Sequence, residues 1–148
     1  MSNSNTVEIS IETSASVTQI WSVLTELEHM KKWFFEVIPE FSATEGFYTE
    51  FEIAHENRNF RHCWRVLKVV AQSHYTVEWT FTGLPGRGHV THKVTPGPDD
   101  KNTITFIDTI VEPFDTSIPE FKRQSSIDGW TYIMNEMLGP YLEEIRKA

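Results

Sequence analysis

Residues Ser117 to Ala148, SIPEFKRQSSIDGWTYIMNEMLGPYLEEIRKA, decide the fold, because a helical pattern of this length follows a run of strand-like segments. Ile127, Trp130, Met134, Met137, Leu138, Tyr141 and Ile145 trace one apolar face of that helix, with Phe121 and Ile133 beside it. Ser117 with Glu120 reads as a capping box, and Pro119 sits in the first turn, where its missing N–H does no harm. Two features interrupt the pattern. Gly129 in mid-helix costs roughly 1 kcal/mol against alanine, so something approaches the helix closely there or needs space beside it. Trp130 gives that space a wall. Gly139-Pro140 removes a backbone hydrogen bond and predicts a kink before the last turns.

Upstream, Val7-Glu8-Ile9-Ser10-Ile11-Glu12 alternates as a half-buried strand. Ser16 with Gln19 caps a helix whose stripe is Val17, Ile20, Trp21 and Leu24, and a second short helix covers Leu27 to Trp33 and runs into Phe34 and Phe35. Segments near 36–42, 47–55, 59–70, 74–82, 88–95 and 102–111 then read as strands, with turn-forming residues between them. Short sequential connections imply an antiparallel meander.

A length of 148 residues suits one domain, expected over 1–148 with 1–5 as a flexible tail. Five Trp, ten Phe and four Tyr are a heavy aromatic load for that length, so some rings can line a cavity instead of filling a solid core. The formal net charge of -8, with scattered Lys and Arg, argues against nucleic acid and anionic membranes as partners. Cys63 is the single cysteine, which excludes an internal disulfide and a multi-cysteine metal site, and its place inside a strand reads as packing. No secretory leader or apolar run of spanning length is visible, so cytoplasmic residence is the expectation.

The order of strand, two short helices, strands and long terminal helix, with VEISIETSASVTQIWSVLTELEHMKKWF, NTITFIDT and SSIDGWTYIMNEMLGPYLEEI, resembles the helix-grip START/Bet v 1-like (SRPBCC) superfamily. Gly129-Trp130 and the Lys-Trp ending of the second helix look most like its activator of Hsp90 ATPase and polyketide cyclase-like branch. The resemblance implies an α+β fold in which a curved seven-stranded antiparallel sheet grips the last helix, with an apolar cavity between them. Relatives of this kind bind sterols, lipids, hormones or polyketides, and a minority catalyse cyclisation, dehydration or hydrolysis. No single catalytic set is shared, so function does not transfer with the fold.

Among the residues themselves, no nucleophile elbow appears, and Leu84-Pro85-Gly86-Arg87-Gly88 lacks the setting of a phosphate loop. It reads as a hairpin turn whose Arg87 could stand at a cavity mouth. His89 and His92 point to opposite faces of one strand, and His55 and His62 share a face only if the register allows, so neither a metal nor a cofactor is expected. Trp33, Phe34, Trp64, Tyr75 and Trp79 are candidate walls of a ligand site. Phe106, Trp130 and Met134 complete them, with His62, Asp108 and Ser126 as polar orienting groups. Asp108 is open between two readings, since Ile104, Phe106 and Ile110 favour its face as the inner one while Ile107 and Val111 favour the other. The leading reading is a binder of a small hydrophobic or aromatic molecule. An enzyme of cyclase, dehydratase or hydrolase type with His62 and Asp108 as acid and base is the second, and a co-chaperone or other protein-interaction module the third, for which the chain leaves no room for an additional chaperone-binding domain. The oligomeric state is left open, a homodimer included.

Overall fold

The computed structural model describes residues 5–148. Its strands are β1 (Thr6–Thr13), β2 (Tyr48–His55), β3 (Arg58–Val70), β4 (His74–Phe81), β5 (Arg87–Thr95) and β6 (Asn102–Glu112). They form one antiparallel sheet in the order β1-β6-β5-β4-β3-β2, so the first and last strands pair at one side and the meander runs outward to β2. Among the described residues the sheet is six-stranded, against the seven expected. The strand expected over 36–42 is absent, and Pro39 with no N–H is a poor ladder member. That stretch acts instead as an anchor, with Ile38 fully buried and Val37 exposed. Of the expected tail, residues 1–4 lie outside the described residues, while the carbonyl of Asn5 accepts from the Ile110 N–H at 2.7 Å.

Between β1 and β2 come α1 (Val17–Thr25) and α2 (Leu27–Trp33). The capping box of α1 forms as read, with Ser16 and Gln19 bonded reciprocally. Trp33 at the end of α2 is fully buried, and its indole N–H donates to the Val23 carbonyl at 2.8 Å, which locks the two helices together.

The terminal helix is composite. A single 3-10 turn, Pro119–Phe121, precedes α3 (Arg123–Tyr132), a π-helical stretch Ile133–Leu138 and α4 (Gly139–Lys147). Ser117 does not cap it. The Ser117 N–H and hydroxyl both donate to Asp115 Oδ1, at 3.0 and 2.6 Å, and Glu120 is taken by Arg58 and His55, so the helix proper starts at Arg123. The break at Gly139-Pro140 is met by the π turn upstream of it, whose wider pitch ends with Gly139 N–H bonded to the Met134 carbonyl.

The register sets the inner face in rows. Phe51, His62 and Phe81 lie side by side, then Trp64, Trp79, Gly88 and Ile110, then Val66, Val77, Val90, Asp108 and Val7. Below them Tyr75, His92, Phe106 and Ile9 meet α1 and α2, where the core is solid. His92 stacks on Phe106 at 4.3 Å between ring centroids and shares a 2.8 Å hydrogen bond with the Tyr75 hydroxyl, which itself donates to the Leu24 carbonyl at 2.6 Å. Among the described residues no helix is long and apolar enough to cross a membrane.

Burial holds both inward histidines neutral, pushing His62 down to about 4 and His92 to about 3. In the unfolded chain each binds its proton near pH 6.5. The contribution of these neutral rings is therefore complete above that pH and is lost as pH falls from 6.5 toward 4. Urea unfolding between about pH 7 and about pH 4.5 is expected to show falling stability with a slope between about one and about two protons, because the two histidines lose stability as pH falls while Asp108, raised by burial, regains part of it. A flat profile across that window contradicts the burial of these two rings.

Candidate functional site

A cavity of about 260 Å³ opens between the upper rows of the sheet and α3. His62, Trp79, Phe81 and Asp108 supply much of its sheet wall, and Ser126, Gly129 and Trp130 of α3 its helix wall. Phe114 and Phe121, from the segment joining β6 to α3, close one end, and Phe35 enters from beyond α2. The lining is overwhelmingly apolar, as in small-molecule sites with a few placed polar groups.

Two glycines explain how the space arises. Gly86 has φ +113°, which L side chains rarely adopt, and the Phe114 ring sits where its Cβ would be, so the β4–β5 turn can tuck under that ring. Gly129 is the opposite case. A Cβ there would meet nothing within 4 Å, so of the two readings of this mid-helix glycine the structure shows space and not close approach.

Asp108 faces inward, which resolves the ambiguity of β6. Its Oδ2 accepts the Trp130 indole N–H at 2.8 Å, tying α3 to the sheet. Burial pushes its carboxyl above the ordinary carboxylate value, and the Trp130 hydrogen bond pulls it partly back. His62 Nδ1 lies 3.1 Å from the Phe60 carbonyl, which can only accept. The proton of the neutral ring therefore sits on Nδ1, leaving Nε2 an acceptor.

The rim is ionic. Arg58 reaches Glu120 through Nε at 2.8 and 3.0 Å and through a terminal nitrogen at 2.8 Å, and His55 Nδ1 stands 2.6 Å from the same carboxylate. This clamp fastens the β2–β3 hairpin to the segment before α3, and the Arg58 guanidinium holds Glu120 down to about 2.

The candidate residues divide between the two ends of the core. His62, Trp79, Asp108, Ser126 and Trp130 line the cavity. Trp33, Trp64, Tyr75, Phe106 and Met134 are buried in the solid part. Phe34 connects the two, stacked on Trp33 at 4.7 Å and on Phe35 at 4.5 Å. Phe60 and Phe81 join the cavity, and their parity with His62 and Trp79 was a readable signal. Phe114 and Phe121 stand in an irregular segment where no periodicity marks them. Arg87 is not among the cavity's described lining residues, and it pairs with Glu78 at 2.9 Å and Glu112 at 3.4 Å. His55 and His62 both line the cavity, but the donor group of ligand type that gathers within 4.8 Å among the described residues is the mainly exposed Glu26, Glu28 and His29, away from it.

The sequence matches the family described as Activator of Hsp90 ATPase homolog 1-like protein over residues 14–143. No curated protein matches it. Among solved structures, DynU16, a protein of the dynemicin biosynthetic locus, superposes with a TM-score of 0.74 at 20% identity, covering 96% of this chain. The chain spans only 48% of DynU16. CalU16 from Micromonospora echinospora has a TM-score of 0.65 at 19% identity, with 95% of this chain and 79% of that one covered. A protein from Arthrobacter aurescens has a TM-score of 0.76 at 16% identity, with 95% and 87% covered. At these identities the likeness is one of fold.

Because burial disfavours the Asp108 carboxylate, that carboxylate weakens the fold above its raised pKa, and the cost disappears as pH falls below the ordinary carboxylate range. Asp108→Asn keeps an oxygen acceptor for Trp130 and is expected to melt at a higher temperature than the parent near pH 7, with the gap closing toward about pH 4. Calorimetric melting at both pH values checks this, and a lower melting temperature at neutral pH contradicts it.

Proposed function

The chain belongs to the Activator of Hsp90 ATPase homolog 1-like family, and within that family we propose that it binds a small hydrophobic or aromatic molecule between its sheet and terminal helix, in the cytoplasm. The observation that carries the reading is the cavity itself, about 260 Å³ walled by aromatic rings with a few placed polar groups, and Gly129 stands exposed at its helix wall with nothing within 4 Å of where a Cβ would be.

Size narrows the class. An apolar cavity of roughly 150 Å³ takes benzene, and drug-sized ligands occupy roughly 300–1,000 Å³. About 260 Å³ therefore suits a molecule of one or two rings better than a sterol. The biosynthetic-locus setting of DynU16 supports a small-molecule role for the shared fold.

A cyclase, dehydratase or hydrolase reading is favoured by one observation, that His62 and Asp108 line the same cavity. Its weakness is the histidine. A ring held down to about 4 is a poor base at neutral pH, where effective bases titrate near the working pH.

Gly129→Leu should fold, because nothing lies within 4 Å of a Cβ there and leucine is a good helix former, and its side chain at the exposed helix wall is expected to obstruct the cavity. Gly129→Ala should gain about 1 kcal/mol of stability and lose little volume. In a thermal-shift screen of one- and two-ring aromatic compounds, the parent and Gly129→Ala are expected to be stabilised and Gly129→Leu to be unresponsive. Equal ligand shifts in parent and Gly129→Leu would remove the cavity from the explanation.

A further inference from the structure

Resting on the binding reading above, we propose that the occupant is a small aryl-alkyl amine bound as its cation, with Asp108 as the counter-charge and the rings of Trp79, Phe81 and Trp130 as an aromatic cage. The charges of the wall point this way. Asp108 and Glu120 both line the cavity, and among its described lining residues there is no Lys or Arg. Arginines of the neighbouring segments are engaged elsewhere: Arg58 holds Glu120, Arg87 holds Glu78 and Glu112, and Arg123 donates to the Thr6 carbonyl at 2.9 Å. Glu120, gripped by Arg58 and His55, is a neutralised rim group. Asp108 faces the interior with the Trp130 indole N–H as its hydrogen-bond partner, and Arg123 lines a small adjoining pocket beside it.

Asp108 also has capacity to spare. An ionised carboxylate offers about four lone-pair sites, and Trp130 takes one of them at Oδ2. A ligand ammonium brings up to three N–H donors and a full positive charge, which is what a buried carboxylate lacks here. His62 adds to the fit because its neutral ring presents Nε2 as an acceptor, suited to a second N–H or to a ligand hydroxyl.

The rings are arranged as a corner and not as a stack. Trp79 and Trp130 meet at 65° with centroids 5.7 Å apart, Phe81 meets Trp79 at 66° and 6.5 Å, and Phe114 meets Phe81 at 70° and 5.9 Å. All four rings line the cavity, and a cation seated within about 6 Å of one of their faces is attracted by it. A carboxylate ligand such as a fatty acid would meet two acidic groups with no cation to receive it. A purely apolar ligand would leave the buried Asp108 carboxylate with the Trp130 N–H alone among the described residues. The net charge of -8 further favours the approach of a cation.

The test compares three isosteres on one ring system: tryptamine, 3-propylindole and indole-3-propionate, titrated calorimetrically into the parent, Asp108→Asn and Gly129→Leu. Tryptamine is expected to bind the parent at least about tenfold more tightly than 3-propylindole, with indole-3-propionate weakest. Asp108→Asn should bring tryptamine down to the level of 3-propylindole while leaving 3-propylindole unchanged, and Gly129→Leu should abolish all binding. If 3-propylindole binds the parent as tightly as tryptamine, the amine proposal falls and the cavity reading stands. If tryptamine still binds Gly129→Leu, the amine sits outside the cavity and the proposal is overturned. Absence of binding by all three at millimolar concentration overturns the cavity reading and the amine proposal together.

Discussion

The 2.8 Å hydrogen bond from the Trp130 indole to Asp108 fixes how the terminal helix crosses the sheet, and the rest of the site follows from it. It places Gly129 beside the anchor, exposed at the helix wall of the cavity. It also sets the line that the buried face must follow: Trp130, Met134, Leu138 and Leu142, each four residues after the last. A regular α-helix at 3.6 residues per turn would rotate such a row by about 40° at every step. The π turn Ile133–Leu138 absorbs that drift, so the same face stays on the sheet through Pro140 to the end of α4.

The two ends of the core are therefore built differently. Toward α1 and α2, Trp33, Tyr75, His92 and Phe106 pack together, the Trp33 N–H and the Tyr75 hydroxyl are tied to the Val23 and Leu24 carbonyls, and His92 Nδ1 is tied to that hydroxyl while its buried Nε2 has no hydrogen-bond partner among the described residues. Toward α3 the cover is a helix turn with glycine at its centre, and aromatic rings from irregular segments wall the remaining space. A rigid end that holds the sheet and helix in register beside a hollow end is suited to binding, since the walls are positioned before anything enters.

Local rules read the elements well where neighbours in sequence are also the partners in space. The α1 capping box, the alternation of β3 and β4, and hence the inward placement of His62, Trp64, Tyr75 and Trp79 are of this kind. They failed where a distant group competed. Ser117 and Glu120 satisfy the capping pattern, but a bidentate arginine outbids one backbone N–H, and Arg58 draws Glu120 away. Residues 36–42 carry strand-like composition, yet Pro39 and the burial of Ile38 under the sheet make them an anchor.

By itself the sequence determined the class of fold, the order of its elements and the presence of a helix that gives up stability at Gly129, because each rests on periodicity and backbone preference within a few residues. Tertiary structure alone decided which aromatic rings pack and which line space, and which way Asp108 faces. Both faces of β6 are apolar enough to be the inner one, and only pairing with Val7 and Val90 on the flanking strands, with Trp130 above, turns the carboxylate inward.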